Sequence, residues 1–215
     1  MQPITPRSKS NPSGTTRLIE GAERQLRKRL KSVRDGAIAW IESQPVQVTQ
    51  VNALQYNAAF YEFQMDEFRL INLSDELDRL ISLYVYNPTE SRQRYFLSQY
   101  ATMAYEQGAA SAIENISAQT AYPITVEQVV TSQPYQDRIA VTASRVFEQM
   151  AGFSAAMKAD LNRILTEGMT EGKSPRVIAS QIRAQMDVEY SSAKRIARTE
   201  INNAHRQAIY AEDQR

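Results

Sequence analysis

The sequence of 215 residues contains no cysteine and only one histidine, and each shortage excludes a class of chemistry. Without cysteine the chain cannot form a disulfide, an iron–sulfur cluster, a thiolate nucleophile or a cysteine-based zinc site. A single histidine, His205, cannot supply a multi-histidine metal site within one chain. Glycine is also scarce, at seven residues, and this composition favours long helices separated by short breaks.

A long apolar run and an excess of one charge are absent as well. The 25 Lys and Arg residues oppose 24 Asp and Glu residues, which leaves a formal net charge of +1. This balance excludes a globally basic nucleic-acid coat and an acidic tail protein. No run of 18 apolar residues occurs, so we predict no membrane span, and the start of the chain lacks the apolar core of a secretory signal. We therefore expect a protein that is made in a cytoplasm or packaged from one.

The N-terminal part combines a polar arm with a basic helix. Residues 1–16 are rich in proline and serine and offer almost nothing apolar to bury, which predicts an arm that is disordered or becomes ordered only on a partner. From Arg17 to Pro45 the apolar residues recur every three or four positions, which predicts an amphipathic helix. Residues 1–34 hold nine Lys and Arg against two Glu, a local excess of +7. The side chains predicted to contact DNA or an acidic partner are Arg24, Arg27, Lys28, Arg29, Lys31 and Arg34.

The middle of the chain lies within a predicted helical region, residues 17–130, and its sequence pattern also predicts helices. Residues 46–48 alternate briefly like a strand, but the apolar spacing from Thr49 to Asn72 predicts a helix. Ser74 is placed to cap a new helix, and another is predicted from Thr89 towards Ala118. The aromatic residues here fall at helical spacing without interleaved basic residues, which favours core packing and contact with a partner helix over lining a ligand pocket or stacking on bases. We find no strand pair and predict an all-α fold.

Residues 135–215 show the strongest helical pattern and are predicted to form a separate helical domain. Eight apolar residues form one stripe from Ile139 to Ile164, and glycines at 168 and 172 are expected to end that helix. Ser174 and Pro175 are placed as the N-cap and first residue of the next helix. One helix is predicted through Met186 and a last one from Ser191. The expected architecture is an elongated all-α protein with a C-terminal helix-turn-helix bundle.

Three features invite a catalytic or binding interpretation that their context disfavours. Gly172-Lys173-Ser174 could belong to a phosphate loop, but position 167 is glutamate where that loop needs glycine, and no predicted strand precedes it. His205 could act as a general base, but no acidic residue lies one helical turn away. The acidic residues between positions 75 and 78 lie in the first turn of a predicted helix, where acids are favoured without any metal. We therefore predict no enzymatic activity, no metal site and no cofactor.

The most informative stretch begins at Ser191. Its apolar positions form a narrow stripe of mostly small residues, suited to close helix packing, which we call the small-residue stripe: Ala193, Ala197, Ile201, Ala204, Ala208 and Ala211. Arg198 and Glu200 each lack an oppositely charged residue one turn away, so we predict a tertiary or intersubunit salt bridge for each. The alternative is that both are ordinary exposed charges. Because they are two residues apart, they point about 200° apart on a helix and cannot form one catalytic dyad.

The segment Ile196-Ala197-Arg198-Thr199-Glu200, followed by Asn203-Ala204, resembles the signature of the phage Mu F-like head morphogenesis proteins, also called minor head proteins. The resemblance covers about residues 135–215 and includes the turn at Lys173-Ser174-Pro175. It implies a virion component of a tailed bacteriophage that acts during head assembly and DNA packaging or ejection, assembled in the host cytoplasm in several copies per particle. The implied partners are the portal protein, the major capsid or scaffolding protein, and the phage genomic DNA. The motif positions expected to serve structural or partner contacts are Arg195, Arg198, Thr199, Glu200 and Asn203.

The resemblance implies no enzymatic reaction, and it leaves two other classes of function open. One is a nucleic-acid-binding module that uses the basic N-terminal helix. The other is an enzyme, because related head domains can be fused to toxin domains. Many relatives continue past the motif into a region with cysteine and histidine, whereas this sequence ends at Arg215, so we expect no metal binding of that kind here.

Overall fold

The computed structural model describes residues 13–53, 56–64, 66–86, 91–92, 94–119 and 125–214. Within these ranges the chain forms six helices and one two-stranded antiparallel sheet, so the prediction of a predominantly α-helical fold is confirmed. Among the same residues no helix is both long and apolar enough to cross a membrane. In chain order the elements are α1 (Thr16–Ser43), β1 (Val46–Ala53), β2 (Tyr56–Phe63), α2 (Glu67–Tyr84), α3 (Phe96–Ser117), α4 (Val126–Val130), α5 (Gln133–Thr170) and α6 (Pro175–Asp213).

The chain divides into two compact units, each assembled from segments that are distant in sequence. Unit 1 comprises the described residues within Met1–Gln25, Thr89–Met150 and Ala193–Arg215. Unit 2 comprises those within Leu26–Pro88 and Ala151–Ser192. Helices α1, α5 and α6 therefore each contribute one segment to unit 1 and one segment to unit 2. Both units draw on the predicted helical region 17–130 and on the predicted domain 135–215.

The small-residue stripe lies in the core of unit 1. Its first five members are fully buried, and Ala211 is half-buried. Helix α3 packs against this stripe so closely that a Cβ atom on Gly108 would overlap the backbone carbonyl of His205. Ser98 of α3 also donates a hydrogen bond to the carbonyl of Ala143 on α5 at 3.0 Å. The close helix packing predicted from the small residues is confirmed.

The aromatic residues divide between core and surface. In unit 1 the ring of Tyr95 lies edge-on to Phe147, with centroids 5.7 Å apart, and Tyr105 lies edge-on to Tyr135 at 5.6 Å. Such pairs add about 0.5–1.5 kcal/mol beyond the area that they bury. Phe68, in contrast, is 72% exposed. Core packing is therefore the correct interpretation for part of the aromatic set only.

Unit 2 has an aliphatic core built from four helices. Leu80 of α2 packs on Gly36 of α1, and Ile178 of α6 packs on Gly168 of α5. The buried aliphatic positions repeat at helical spacing along each element. They include Leu30, Val33, Ile41, Leu73, Leu77, Leu80, Met157, Leu161, Leu165, Ile178 and Ile182.

The predicted helix from Thr49 to Asn72 is wrong over most of its length, because a β-hairpin occupies its place. Strands β1 and β2 pair antiparallel, with Val46 opposite Phe63 and Val48 opposite Tyr61. Four of the eight residues of β1 are β-branched, and such residues lose rotamer freedom in a helix and fit a pleated strand. Four of the eight residues of β2 are aromatic, a type that also favours strands. We also predicted that the chain would contain no pair of strands, and this prediction is wrong because β1 pairs with β2.

The predicted helix start at Ser74 is also wrong. Helix α2 begins at Glu67, where the side chain of Asp66 accepts a hydrogen bond from the backbone N–H of Arg69 at 2.8 Å. The helix runs through Ser74 because no glycine or proline interrupts it and because Leu73 and Leu77, on either side of Ser74, are both buried. The next helix was predicted from Thr89, which lies outside the described residues, and α3 begins at Phe96.

Helix α6 is continuous from Pro175 to Asp213, so the separate last helix predicted from Ser191 is wrong. No glycine or proline follows Pro175 within this range, and the Ser191 hydroxyl donates to the carbonyl of Asp187 inside the helix rather than capping a new one. The turn before α6 is confirmed. Gly172 has a φ of +67°, and the Ser174 hydroxyl accepts the N–H of Val177 at 3.3 Å as an N-cap.

Candidate functional site

The two charges of the family-like motif flank the buried stripe of α6 on opposite sides. On one side the Arg198 guanidinium pairs with Glu23 of α1, with Nε 2.5 Å from the carboxylate oxygen. On the other side Glu200 accepts from Nε of Arg145 on α5 at 2.8 Å, and Arg145 also donates to Gln207 at 3.0 Å. Each charge therefore has a partner on another helix of unit 1, as the sequence predicts.

These two ion pairs differ in their surroundings. The Arg198 side chain is 53% exposed, so its pair with Glu23 resembles surface ion pairs that contribute about 0–1 kcal/mol. Glu200 is almost fully buried and needs the guanidinium of Arg145 to compensate its lost hydration. The Glu200 pair therefore fixes α6 to α5, whereas the Arg198 pair orients α6 against α1.

The end of the predicted disordered arm lies next to the motif. Thr15 is buried, and its hydroxyl donates to the side-chain oxygen of Asn202 on α6 at 3.0 Å. The prediction of disorder over residues 1–16 is therefore wrong for residues 13–16, because Thr15 finds a polar partner and Thr16 begins α1. Residues 1–12 of that arm lie outside the described part of the chain.

Three of the five motif residues lie on the outer face of α6. Together with Arg206 and Tyr210 they span an arc of about 80° opposite the small-residue stripe. We call this surface the exposed strip, and its members are Arg195, Thr199, Asn203, Arg206 and Tyr210. All are exposed except the half-buried Asn203, whose side-chain oxygen accepts from Arg206 at 2.5 Å. Within the described part of the chain, the side chains of Arg195 and Thr199 have no hydrogen-bond or ion-pair partner.

The six basic residues predicted on the first helix do not all have the same surroundings. Arg29 donates to the backbone carbonyl of Tyr84 at 2.9 Å and is used in packing α1 on α2. Arg24 belongs to unit 1, while the other five belong to unit 2. Arg24, Lys28 and Lys31 are exposed, and among the described residues none of them has an ion-pair partner.

Three of these basic side chains line a groove of about 340 Å³ in unit 2, which we call the basic groove. Arg27, Lys31 and Arg34 form its α1 side, and Asp187 and Tyr190 lie on its α6 side. The guanidinium of Arg27 lies over the ring of Tyr190, 4.8 Å from the centroid. Arg34 also pairs with its neighbour Asp35 at 2.8 Å, and the buried side chains of Leu30 and Met186 supply the apolar part of the lining.

Sequence reasoning identified the α1 side of the basic groove and three members of the exposed strip, but it missed their neighbours on α6. Arg206 and Tyr210 continue the strip at helical spacing, a signal that was present in the sequence. Asp187 and Tyr190 could not be assigned to the groove because only the tertiary packing of α6 on α1 brings them there.

The glycine turn has no phosphate-loop geometry. The carbonyl of Gly172 accepts the N–H of Tyr61 at 3.1 Å, and Lys173 pairs with the adjacent Glu171. Ser174 is used as the cap of α6. The backbone N–H groups of Glu171, Gly172 and Lys173, which such a loop would turn towards a phosphate, donate instead to carbonyls of α5.

His205 is 4% exposed and lies in the helix contact with Gly108. Burial lowers the pKa of this imidazole from its ordinary value of 6.5, so the neutral form prevails at neutral pH. Two acids at the start of the helix predicted from Ser74 are paired instead of clustered, Glu76 with Arg79 and Asp78 with Lys158, each at 2.6 Å. Across the described ranges no three His, Asp or Glu side chains are arranged to hold a metal ion.

Glu189 is the titratable group in unit 2 with a clear electrostatic cost. It is 7% exposed, and burial raises the pKa of its carboxyl above 4.5, although the hydrogen bond from Gln185 at 2.7 Å opposes this rise and nearby Asp160 adds to it. A raised pKa in the folded state means that ionisation of Glu189 destabilises the fold. The stability that the protonated carboxyl contributes is therefore complete below pH 4.5 and is lost as the pH rises through the folded-state pKa.

We expect Glu189→Gln to increase the free energy of unfolding at pH 7, because the neutral amide avoids the ionisation cost. The gain should shrink as the pH falls towards 4.5, and urea denaturation at both pH values measures it. Asp187→Asn, an exposed change on the same helix, serves as the control and should show no comparable gain. A larger gain for Glu189→Gln at low pH than at pH 7 would contradict this account.

Comparison of the chain with protein-family models, with curated proteins and with solved structures gave no match.

Proposed function

We propose that this protein is a structural head-morphogenesis, or minor head, protein of a tailed bacteriophage. In this proposal it binds the portal protein through the exposed strip of α6 while the head assembles. The major capsid or scaffolding protein is its second neighbour, and several copies are incorporated into each particle. We assign no reaction to it.

The division of the motif into two sets of residues supports this function. Arg198 and Glu200 attach α6 to α1 and α5 from both sides. The remaining motif residues face outward on a helix whose opposite side is fully buried. A motif that fixes a helix and presents its outer face suits a binding surface, whereas catalysis requires the reactive groups to converge on one point.

The composition of the exposed strip indicates what kind of surface it would contact. Arg and Tyr are the residue types most enriched at protein–protein interfaces, since both combine a large apolar contact with hydrogen-bond donors. Arg195 and Arg206 give the strip a positive charge, so a partner surface with carboxylates would match it. The basic first helix already predicts contact with an acidic partner at α1. This proposal adds a second acidic contact at the exposed strip of α6.

The proposal is tested by recovering the tagged full chain from cells that produce the particles and measuring how much portal protein is bound. Arg195→Glu combined with Arg206→Glu should reduce portal recovery by tenfold or more, because it reverses two charges on the strip. Arg183→Glu, an exposed charge reversal on the same helix in unit 2, is the control and should leave recovery unchanged. Equal portal recovery with the double variant and the wild type, at equal melting temperature, would refute the proposed surface.

A nucleic-acid-binding module is the second candidate, and the basic groove is the observation that favours it. Three cations at helical spacing along one groove wall could follow a phosphate backbone, and Tyr190 offers an aromatic face. Asp187 on the opposite wall and the pairing of Arg34 with Asp35 reduce the positive charge, which is why we rank this function second.

Changing Arg27, Lys31 and Arg34 together to glutamine should flatten the salt dependence of DNA binding. Each phosphate neutralised contributes about −0.9 to the slope of log K against log salt, so the slope should change by about 2.7. A triple change of the exposed Arg79, Arg163 and Arg176 to glutamine is the control. No DNA binding at low salt, or equal slopes for both triple variants, would exclude the groove as a DNA site.

A further inference from the structure

The hairpin of unit 2 has two outer edges that differ in how they are covered. On the β2 edge, the N–H of Tyr61 donates to the carbonyl of Gly172 at 3.1 Å, so the turn before α6 occupies that edge. On the β1 edge, no backbone hydrogen bond reaches outward to another described residue. The side chains of residues 47–50 are all exposed, and Val48 retains 53% of its accessible surface.

The Tyr61 bond also fixes which groups of β1 point outward. Because the N–H of Tyr61 faces away from β1, Tyr61 and Val48 form a pair without hydrogen bonds between them. The N–H and C=O groups of Val48 therefore face the free edge, and by the strand alternation so do those of Val46 and Gln50. The free edge thus presents a regular row of donors and acceptors.

This edge carries none of the features that keep sheet edges apart. Natural edge strands are usually protected by charged side chains, a proline or a bulge. No charged residue occurs anywhere between Ser43 and Tyr61, and no proline occurs within β1. The pairing of β1 with β2 is regular from Val46 to Ala53, without a bulge.

From this we infer that β1 is a self-association surface that pairs antiparallel with β1 of a second copy, so that two hairpins form one four-stranded sheet. In an antiparallel pair, residues whose backbone N–H and C=O groups point towards the other strand lie opposite one another. A two-fold axis at Thr49 therefore places Val48 opposite Gln50 of the second copy. Thr49 then faces Thr49, a favourable cross-strand pair.

A second copy fits this edge because a two-fold pairing places each strand opposite itself. Any charge on β1 would meet the same charge across the axis, and like charges directly opposite one another destabilise a sheet. The uncharged β1 avoids this repulsion entirely. This inference concerns unit 2 and does not depend on portal binding by α6.

The test measures the mass of the full chain by sedimentation equilibrium over a range of concentrations. We expect a monomer–dimer equilibrium in the wild type. Thr49→Lys and Thr49→Glu should each weaken dimerisation at least tenfold, because like charges then face each other, and mixing the two variants should restore the dimer. Ser191→Lys, a charge added at another exposed position of unit 2, is the control and should dimerise as the wild type does.

A second variant tests the backbone groups directly. Val48→Pro removes an outward N–H without removing a bond to β2, so it should abolish dimerisation while the circular dichroism spectrum stays unchanged. A wild type that remains monomeric at every concentration overturns the inference. A dimer that persists in Thr49→Lys and Val48→Pro overturns it as well, since association would then use another surface.

Discussion

Replacing Ala204 by glutamate should unfold unit 1 or lower its melting temperature severely. Ala204 has no exposed surface, and it lies on the stripe where α3 approaches α6 so closely that Gly108 has no room for a side chain. A glutamate there buries an uncompensated carboxylate, which costs several kcal/mol, and overpacking adds about 1–3 kcal/mol. Because native domains are stable by only about 5–15 kcal/mol, most of the folding free energy would be lost.

Thermal melting followed by circular dichroism measures this effect, and Thr199→Glu provides the matched control. Thr199 lies on the same helix but is exposed, so its replacement should change stability by no more than about 0.5 kcal/mol. If Ala204→Glu and Thr199→Glu melt at the same temperature, the stripe is not a close helix contact. In particle assays, Ala204→Glu should abolish incorporation.

The second large effect is expected for Arg138→Met. Arg138 of α5 donates to the carboxylate of Glu212 on α6 at 2.5 Å and to the hydroxyl of Tyr105 on α3 at 2.7 Å, so one guanidinium connects three helices. Glu212 is 1% exposed. Removing one partner of a buried ion pair typically costs about 3–5 kcal/mol.

The double variant Arg138→Met/Glu212→Leu separates the ion pair from simple packing. Replacing both partners by apolar residues should recover much of the lost stability, because no charge is then left buried. Arg163→Met is the control, since Arg163 contacts Asp160 and Glu167 at 3.3 Å on an exposed surface and should contribute about 0–1 kcal/mol. Urea denaturation that ranks Arg163→Met as the more damaging change would contradict this assignment.

The apolar periodicity predicted the helices whose faces are fully buried. The stripe from Ile139 to Ile164 is buried in full along α5, and the small residues from Ala193 to Ala208 are buried along α6. In both helices a strong period of three to four residues coincides with burial of the same positions, so local pattern and tertiary packing agree.

The hairpin could not be predicted because its pattern is ambiguous. The apolar residues from Val51 to Tyr61 match a helical period, yet the β-branched residues of β1, the aromatic residues of β2 and the pairing of the two strands favour extended backbone. The salt-bridge partners of Arg198 and Glu200 were also inaccessible to sequence reasoning. Glu23 and Arg145 are 175 and 55 residues away along the chain, and only the assembled fold brings them together.

The distribution of unit 1 along the chain also constrains how this protein can fold during synthesis. The hydrogen bond between Thr15 and Asn202 joins residues 187 positions apart, so the N-terminal segment of α1 is translated long before its contacts on α6 exist. Contacts of such high sequence separation slow folding, because the chain must close a large loop before they form. On the ribosome, unit 1 must therefore wait for the last helix to emerge. A nascent or truncated chain that ends before Ala193 would leave the residues that contact that helix, including Glu23 and Gly108, without the surface on which they normally pack.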